Sequence, residues 1–374
     1  MSHHPPILII GAGLAGLTLA QGLRLHSIPF RVFERRIKSH RLSIQGHRFR
    51  VSKEGQSALL NVLPTDLQTL FRETAPERHR YEPRYVNARN LDYAAPKHVD
   101  ADTAYGKEFE SYETTTDGVR VKFSDGSVVS GRLVVGADGV RSRVRKQLQP
   151  KRRLLDLERW IVWGRTPLTE ALKEQLPADM LTWCMYMDHE ANVQTVVEPM
   201  VWRHNVQETS KGKLTNFEDY VYYALCTAPA QYATQLPQTP GERRTYLQKT
   251  TETWDPALKH LLKSAMHENS ACVPVVSSKP DIEVRLAEET GRVTLIGDAA
   301  HAMSPMGGSG ADTAIRSAAD LAETISTAGV SLQSLGGFET RMEERARERI
   351  EHSFRGGQRF WRGKEWTGYG ESDI

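Results

Sequence analysis

The hydrophobic pattern of the first 34 residues predicts a strand, a tight turn, a helix and a second strand. The apolar run Ile7-Leu8-Ile9-Ile10 ends at a glycine, as is typical of a strand buried in a parallel sheet. Apolar residues at helical spacing then extend from Leu17 up to His26. Residues 28–34 predict the second strand, which ends in the acid Glu34.

The turn after the first strand has the sequence GAGLAG at residues 11–16. Gly11 permits a tight turn, Gly13 lets the backbone approach a pyrophosphate, and Gly16 lets the helix pack on the strand. The helix N-terminus offers free N–H groups and the positive end of its dipole to phosphates. Glu34 follows Gly11 by 23 residues, near the spacing of an acid that binds a ribose diol. These features predict dinucleotide binding but do not separate NAD from FAD.

A further strand is predicted at residues 133–135, and the turn Gly-Ala-Asp-Gly at 136–139 follows it. The turn places Asp138 and Gly139 at the carboxyl end of the strand, where ligands bind in α/β sheets. Residues 141–153 are rich in arginine. We interpret this run as the solvated face of a helix and not as a nucleic-acid site, because no aromatic residues interleave with the basic ones.

Another strand is predicted at residues 292–296, and the sequence GDAAH follows it with Asp298 as its acid. A loop with Pro305, Gly307, Gly308 and Gly310 then precedes a predicted helix over residues 311–325. The acid can bind a sugar-like hydroxyl, and the loop can press its backbone against a flat ring. The helix N-terminus can stabilise negative charge on that ring.

The middle of the chain predicts strands at residues 159–166, 181–187 and 193–202. Two roles stay open for their large side chains, either lining a pocket for an aromatic ligand or filling the core of a sheet. The residues concerned are Trp163, Trp183, Met185, Tyr186 and Trp202, with Arg165, Arg203 and His204 as nearby polar groups. Residues 338–360 predict a highly charged helix, which we interpret as a solvated helix that covers the surface.

Composition narrows the class of protein. Of 374 residues, 49 are Lys or Arg and 46 are Asp or Glu, so the net charge of +3 gives no support for nucleic acid as a partner. The longest apolar run, residues 7–20, contains glycines and is shorter than the ~20 residues of a membrane span, so no stable membrane insertion is expected. Three widely spaced cysteines fit a reducing, cytoplasmic setting and exclude a disulfide scaffold. No metal site is expected, because metal-ligand motifs are absent from the sequence.

Four sequence motifs occur in order over most of the chain: GAGLAGL at residues 11–17, VFER at 32–35, LVVGADGVRSRVR at 133–145 and LIGDAAHAMSPMGGSGADTAI at 295–315. Together they resemble the FAD-dependent monooxygenases of the aromatic-hydroxylase type. These are single-component flavoprotein hydroxylases similar to para-hydroxybenzoate hydroxylase and to tetracycline-modifying monooxygenases. The short chain and the stretch IVWGRTPLTE at residues 161–170 look most like fungal members.

The resemblance implies which residues bind the cofactor. The first turn would hold the FAD pyrophosphate. The acid of VFER would bind the adenosine ribose, and the acid of GDAAH would bind the ribityl chain. The later glycine loop would lie along the flavin ring. GADG would support the use of FAD and NAD(P)H. The implied residues are Gly11, Gly13, Leu14, Ala15, Gly16, Glu34, Arg35, Asp138, Gly139, Asp298, Pro305, Gly307, Gly308, Gly310 and Ala311. Arg48 is either a further flavin contact or a surface arginine.

The sequence departs from the family pattern in three places. Asp312 stands where the family usually has Asn, and Ser317 stands where it usually has Asp. A carboxylate at position 312 suits the dipole of the helix N-terminus but would oppose negative charge on a reduced flavin nearby. Residues 86–105 lack the helix whose arginine usually reaches the flavin, which indicates either a shortened member or a chain that is not contiguous there.

We therefore predict an α/β fold with a Rossmann-like FAD-binding domain assembled from discontinuous segments. An inserted mixed-sheet substrate domain and a C-terminal helix complete it. The expected FAD-binding domain comprises residues 1–80, 105–155 and 275–330. The expected substrate domain comprises residues 81–104 and 156–274, and the C-terminal helical segment comprises residues 331–374.

The resemblance implies an NAD(P)H- and O2-dependent monooxygenase of secondary metabolism. It would hydroxylate or epoxidise a small aromatic, polyketide-like or prenyl- or indole-type metabolite through a flavin hydroperoxide. No second GxGxxG is present, so nicotinamide is expected to bind transiently. A flavin oxidase or oxidative cyclase on the same scaffold is one alternative, and a flavin-binding protein without turnover is another. No catalytic acid or base is identified from the sequence.

Overall fold

The structure is a computed structural model that describes residues 4–37, 49–76, 87–88, 103–176, 181–214, 216, 218–228, 233–284 and 290–372. Its strands are β1 (Ile7–Ile10), β2 (Phe30–Glu34), β3 (Phe49–Arg50), β4 (Asn87–Ala88), β5 (Thr103–Tyr105), β6 (Phe109–Thr115), β7 (Gly118–Phe123), β8 (Val128–Gly131), β9 (Leu133–Gly136), β10 (Leu154–Pro167), β11 (Cys184–Asp188), β12 (Val193–Met200), β13 (Tyr220–Thr227), β14 (Ala271–Ser277), β15 (Val293–Leu295) and β16 (Glu371–Ser372). Its α-helices are α1 (Leu14–Leu25), α2 (Lys53–Asn61), α3 (Thr65–Glu73), α4 (Arg143–Leu148), α5 (Glu170–Gln175), α6 (Val206–Thr209), α7 (Pro240–Thr250), α8 (Pro256–Lys263), α9 (Asp298–His301), α10 (Gly310–Ala328) and α11 (Leu332–Trp361).

A parallel sheet forms one half of the described structure. Within the described residues its strand order is β15-β9-β1-β2-β5, and the neighbouring strands pair in parallel. All four residues of β1 are buried, which explains the continuous apolar run in the sequence. The predicted strand, turn, helix and strand at the start of the chain are confirmed.

The edge strand β5 was not expected in this sheet. It pairs with β2 so that Thr103 aligns with Val32 and Tyr105 aligns with Glu34. The expected substrate-domain boundary at residue 104 falls inside this strand, because backbone pairing ties residues 103–105 to β2. Residues 77–86 and 89–102 lie outside the described residues, as does most of the region in which the sequence shows no family helix.

Two layers cover the parallel sheet. Helices α1 and α10 pack closely on one side, where a Cβ atom built on Gly22 would lie 2.5 Å from the Cβ of Ala322. The antiparallel strands β6, β7 and β8 extend the same core, and the rings of Phe33 and Phe123 lie 4.6 Å apart between centroids. The α/β layering predicted from the sequence is confirmed.

An antiparallel sheet forms the second half, with the order β11-β12-β13-β10-β14 among the described strands and β16 paired to β10. One of its faces packs on α7 and α8, with Tyr223, Leu247 and Leu261 in the shared core. The other face contacts α11, with Ile161 and Ile350 in a second core. Helix α8 begins with Asp255 as its N-cap and Pro256 at its first position.

Helix α11 is longer and less solvated than the sequence indicated. Phe338, Met342, Ala346, Ile350 and Phe354 recur every four residues and are all buried. The first two pack in the core of the parallel sheet, and the last three pack against the antiparallel sheet. The interpretation of this helix as a solvated cover is wrong for that face, because its apolar residues contribute to both cores.

The sequence argues against a disulfide scaffold and against a membrane-spanning segment, and the structure bears on both. Cys184, Cys226 and Cys272 are all free thiols, so the chain has no disulfide scaffold. Among the described residues, no helix combines the length and the apolar character needed to cross a membrane.

Candidate functional site

The carboxyl ends of β1, β2 and β9 surround a cleft of about 180 Å³. Three motifs that are distant in sequence meet there. The cleft is lined by Gly11, Gly13, Glu34, Arg35, Asp138 and Gly139, together with Arg36, Lys107, Arg141 and Arg143 among others. Residues that the resemblance assigns to one cofactor therefore lie together at one edge of the parallel sheet.

The glycine turn has the shape of a phosphate cradle. Gly11 has a φ of +107°, and a Cβ atom there would lie 2.3 Å from the carbonyl oxygen of Ala137. A Cβ atom on Gly16 would lie 2.1 Å from the carbonyl oxygen of Gly11. At Gly13, by contrast, a Cβ atom would meet nothing within 4 Å, and no side chain caps the start of α1. This open space before an uncapped helix N-terminus fits a pyrophosphate.

The carboxylate of Glu34 is fixed at the mouth of this cradle. It accepts hydrogen bonds of 3.0 Å from the backbone N–H of Ala12 and from that of Arg36. A carboxylate has about four acceptor positions, so two such bonds leave room for a diol. The geometry therefore fits the predicted contact with a ribose.

Asp138 lines the cleft, but its carboxylate is engaged by the helix that follows. It accepts hydrogen bonds from the hydroxyl of Ser142 and from the backbone N–H of Arg143 at 2.9 Å. Burial raises the pKa of Asp138, and these hydrogen bonds oppose that rise. Gly139 has a φ of +78° and open space around it. We infer that Asp138 acts as a positioning residue that holds the turn open.

Two arginines of the basic run are not on a solvated face, so that interpretation is wrong for them. Arg145 is only 2 % exposed, and its guanidinium donates to the carbonyl oxygens of Val140 at 2.7 Å and Ala299 at 3.3 Å. Arg152 donates to the carbonyl oxygen of Ala300 and to the Ser278 hydroxyl, and burial lowers its pKa to about 10. These bonds connect the turn after β9 to α9.

Asp298 begins α9 and remains exposed to solvent even though protein atoms crowd around it. This crowding raises the pKa of Asp298, and the nearby Arg145 guanidinium opposes the rise. The preceding Gly297 has a φ of +60° and approaches α1, since a Cβ atom there would lie 2.8 Å from the Cβ of Ala15. The acid of the GDAAH motif thus lies beside the first turn of α1, as expected for a residue that contacts the same ligand as the cradle.

The glycine loop before α10 rests on α11. A Cβ atom on Gly356 would lie 2.7 Å from the carbonyl oxygen of Met306, and a Cβ atom on Gly307 would lie 3.2 Å from the Cα of Ser353. Gly308 adopts a φ of +62°, and α10 then begins at Gly310 without a side-chain cap. Sequence reasoning missed the contribution of α11, and its only signal was the small residues Ser353 and Gly356 on a charged helix.

Ser317 and Asp312 depart from the family pattern, and each contacts another residue in the structure. The Ser317 hydroxyl lies 3.0 Å from Nε2 of His301, and burial lowers the pKa of this histidine to about 3, so the ring is neutral. Asp312 accepts a 2.8 Å hydrogen bond from the backbone N–H of Ser52 and lies 3.9 Å from Arg316. Arg48, the remaining predicted flavin contact, lies outside the described residues.

The candidate pocket residues of the antiparallel sheet divide between its two faces. Trp163 shares the face that contacts α11 and the loop around Met303 and Met306. Tyr186 packs on the opposite face against α7 and α8, which corresponds to the second of its two open roles, a place in the core of the sheet. Nε1 of Trp202 donates to the carbonyl oxygen of Thr74 at 3.1 Å. Among the other candidates, Arg203 and His204 are exposed, while Trp183, Met185 and Arg165 are half-buried.

Comparison with known proteins identifies the family to which the chain belongs. Residues 47–330, more than half of the chain, match the family model described as FAD binding domain. The chain belongs to the FAD-dependent monooxygenases of the aromatic-hydroxylase type. FAD is the cofactor of this family, and the cradle and the acids described above fit it.

Relatives of the flavin monooxygenase family cover nearly the whole chain. The dual O-methyltransferase/FAD-dependent monooxygenase elcB of Phaeosphaeria nodorum is 30% identical over 89% of this chain and 42% of its own length. The FAD-dependent monooxygenase dbaB of Emericella nidulans is 25% identical over 89% of this chain and 90% of its own length. The crystal structure of a protein from Photorhabdus luminescens, assigned as an FAD-containing monooxygenase, matches with a TM-score of 0.79. It is 26% identical and covers 96% of this chain and 98% of its own. The chain spans less than half the length of the dual-function relatives that it matches.

Proposed function

We propose that this protein is a FAD-dependent monooxygenase. It uses NAD(P)H and O2 to hydroxylate or epoxidise a small aromatic, polyketide-like or prenyl- or indole-type metabolite. The observation that carries this proposal is the convergence of the glycine cradle, Glu34 and the GADG turn on one cleft, with Asp298 beside the start of α1. Relatives named as monooxygenases over most of the chain support the reaction class.

Each motif has a defined task in this proposal. Gly11, Gly13 and Gly16, with the N–H groups at Leu14 and Ala15, hold the pyrophosphate. Glu34 binds the adenosine ribose with Arg35 beside it, and Asp298 binds the ribityl chain. The segment from Pro305 to Ala311 lies along the flavin ring, and the uncapped start of α10 favours negative charge there. When bound, FAD supplies electron transfer from NAD(P)H and the activation of oxygen.

The surroundings of the loop favour a dry reaction site. Met303 and Met306 pack against the same buried core as Trp163 and Ala224 of the antiparallel sheet. An apolar and aromatic wall of this kind excludes water and accommodates a planar substrate. We therefore propose that the antiparallel sheet forms the substrate domain, with a boundary that leaves β5 in the FAD-binding domain. The three free cysteines support a cytoplasmic protein.

The visible absorbance spectrum of the purified protein, recorded before and after anaerobic addition of NADPH, tests this proposal. We expect a flavin spectrum that bleaches. A substrate screen under 18O2 should then give a product that carries one labelled oxygen atom. A protein that binds no flavin even when FAD is added would overturn the proposal. Release of peroxide that matches NADPH oxidation, without labelled product, would identify an oxidase instead.

A further inference from the structure

A second cleft, of about 420 Å³, lies between α7 and α8 on the side of the antiparallel sheet that faces away from α11. Its floor is apolar, since Leu247 of α7 and Leu262 of α8 line it and both are buried. Its rim is charged and comprises the cations Arg244, Lys249, Lys259 and Lys263 and the carboxylate of Glu252. This α7–α8 cleft shares no lining residue with the cleft at Gly11 and Glu34, and its volume is typical of a small-molecule site.

The positive charges of the rim are not neutralised by carboxylates. Arg244, Lys249 and Lys263 are exposed, and Lys259 is half-buried. Nζ of Lys259 donates to the backbone carbonyl oxygen of Glu252 at 3.2 Å, which is a neutral acceptor. Within the part of the chain that the structure describes, none of the four cations forms an ion pair. The cleft therefore keeps a surplus of positive charge over an apolar floor.

A buried arginine beside the rim adds to this charge. Arg243 is 7 % exposed, and its guanidinium donates to the Ser270 hydroxyl at 2.7 Å and to the carbonyl oxygen of His267 at 3.0 Å. Both acceptors are neutral. Burial lowers the pKa of His267, and the charges of Arg244 and Arg243 lower this pKa further. The positive potential of the cleft thus extends into the core beneath it.

The dipoles of α7 and α8 explain only half of this cluster. Lys249 and Lys263 lie in the last turns of their helices, where a cation is favoured whether or not a ligand binds. Arg244 lies in the middle of α7, and Lys259 is the fourth residue of α8. A cation at either of these positions gains little from a helix dipole. Their convergence on one cleft with the other two cations points to an anion.

We propose that the α7–α8 cleft binds a small, soluble organic phosphate that carries a short apolar group. Lys259 and Lys263 are four residues apart on α8, or about 6 Å along the helix axis, so both ammonium groups can reach one phosphate. Arg244 contacts the phosphate from α7, and the apolar group packs on Leu247 and Leu262. The site is separate from the flavin-binding cleft, so the proposal does not depend on the reaction that the flavin supports.

Isothermal titration calorimetry of the FAD-loaded protein tests this site, because bound FAD fills the phosphate cradle of the first motif. The probes are n-hexyl phosphate, inorganic phosphate and 1-hexanol, which separate the charge from the apolar group. We expect n-hexyl phosphate to bind about 10-fold or more tightly than inorganic phosphate, because burial of two methylene groups is enough for such a gain. Its affinity should fall as NaCl is added, since exposed charges are screened. Hexanol should bind far more weakly.

Substitutions on α8 and at the rim identify the cleft as the site. Lys259→Met and Lys263→Met should each lower the affinity for n-hexyl phosphate by about 5-fold, and the double variant by about 10-fold or more. Lys263→Arg should retain most of the affinity. Glu252→Gln should raise it, because the substitution removes a carboxylate from the rim. Lys151→Met, at an exposed turn after α4, makes the same change in net charge and should have no effect. Melting temperatures identify any variant that fails to fold.

Four results would overturn the proposal. They are no measurable binding of n-hexyl phosphate, equal binding of n-hexyl phosphate and inorganic phosphate, unchanged affinity in the double variant, or an equal loss in Lys151→Met. Vesicles of phosphatidylcholine and phosphatidic acid distinguish a lipid headgroup from a soluble ligand. Vesicle binding that the double variant abolishes, without binding of n-hexyl phosphate, would also overturn it. A protein that retains FAD and bleaches with NADPH but fails these tests would refute only the α7–α8 site.

Discussion

The carboxylate of Asp312 accepts a 2.8 Å hydrogen bond from the backbone N–H of Ser52, a residue 260 positions earlier in the chain. Ser52 is the N-cap of α2, and its own hydroxyl accepts a hydrogen bond from the backbone N–H of Gly55. Asp312 lies in the first turn of α10, where the proposed flavin loop ends. The residue that departs from the family pattern therefore joins two helix N-termini, and both dipoles favour its charge.

Replacement of Asp312 by Asn should raise the reduction potential of the bound flavin. The amide oxygen can still accept the bond from Ser52, so the free energy of unfolding should change by less than about 1 kcal/mol. Removal of a negative charge near the ring should favour the reduced, anionic flavin by an amount on the order of tens of millivolts. Spectroscopic redox titration measures this shift.

Glu323→Gln is the matched control for that titration. Glu323 is an exposed carboxylate near the far end of the same helix, so its removal should leave the potential unchanged. An unchanged potential in Asp312→Asn would mean that Arg316 and the two helix N-termini already neutralise the carboxylate. The expected opposition between Asp312 and the reduced flavin would then be wrong.

The cradle glycines should respond to alanine in different ways. Gly11→Ala forces a Cβ atom against the carbonyl oxygen of Ala137 at a φ of +107°, so we expect destabilisation of at least about 1–3 kcal/mol. Gly13→Ala adds a methyl group to open space, so the FAD-free protein should melt at the wild-type temperature. Its affinity for FAD should nevertheless fall by about 10-fold or more, because the methyl group occupies the expected pyrophosphate position.

Differential scanning fluorimetry of the FAD-free proteins and fluorescence titration with FAD measure the two effects. Gly241→Ala, at an exposed glycine with open space in the first turn of α7, should change neither quantity. Normal FAD affinity in Gly13→Ala would show that the pyrophosphate lies elsewhere. The predicted role of the first motif would then be wrong.

The parallel sheet and the cradle could be predicted because their signals are local. A glycine with positive φ, an acid at a strand end and an apolar run each leave a mark within a few residues of the element they define. The convergence of Glu34 and Asp138 on the turn at Gly11 followed from one rule, that parallel strands present their carboxyl ends at the same edge.

Features that depend on distant partners could not be predicted in the same way. Arg145 has the sequence context of a surface helix, and its acceptor at Ala299 lies 154 positions away. Tyr186 stands on a strand that is apolar on both faces, so no alternation indicated which side it takes. Which residues share a face of the antiparallel sheet with Trp163 depends on the register of neighbouring strands, which no single segment encodes.

Helix α11 should be essential to stability despite its charged sequence. Phe338→Ala should cost about 3–5 kcal/mol and Ile350→Ala about 2–5 kcal/mol, because both side chains are fully buried, each in a different core. Leu332→Ala, at a position of the same helix that is 53 % exposed, should cost far less. Urea denaturation measures all three. Small losses at both buried positions would show that the helix is the loosely attached cover that its charges suggest.

The buried histidine of the GDAAH motif should make stability depend on pH. Burial lowers the pKa of His301 from its ordinary 6.5 to about 3 in the folded protein. Below pH 6.5 the unfolded chain therefore binds a proton that the folded chain excludes. The stabilising contribution is complete above pH 6.5 and is lost toward pH 3, at up to about 1.4 kcal/mol per pH unit.

His301→Gln removes the titrating ring and can keep a hydrogen bond to Ser317. Its free energy of unfolding should therefore fall less steeply between pH 6.5 and pH 5 than that of the wild-type protein. Urea titrations at half-unit pH steps measure both slopes. His189→Gln, at an exposed turn, should follow the wild-type profile. Parallel slopes for His301→Gln and the wild-type protein would mean that the folded protein accepts a proton at His301. The assignment of a neutral ring to His301 in the folded protein would then be wrong.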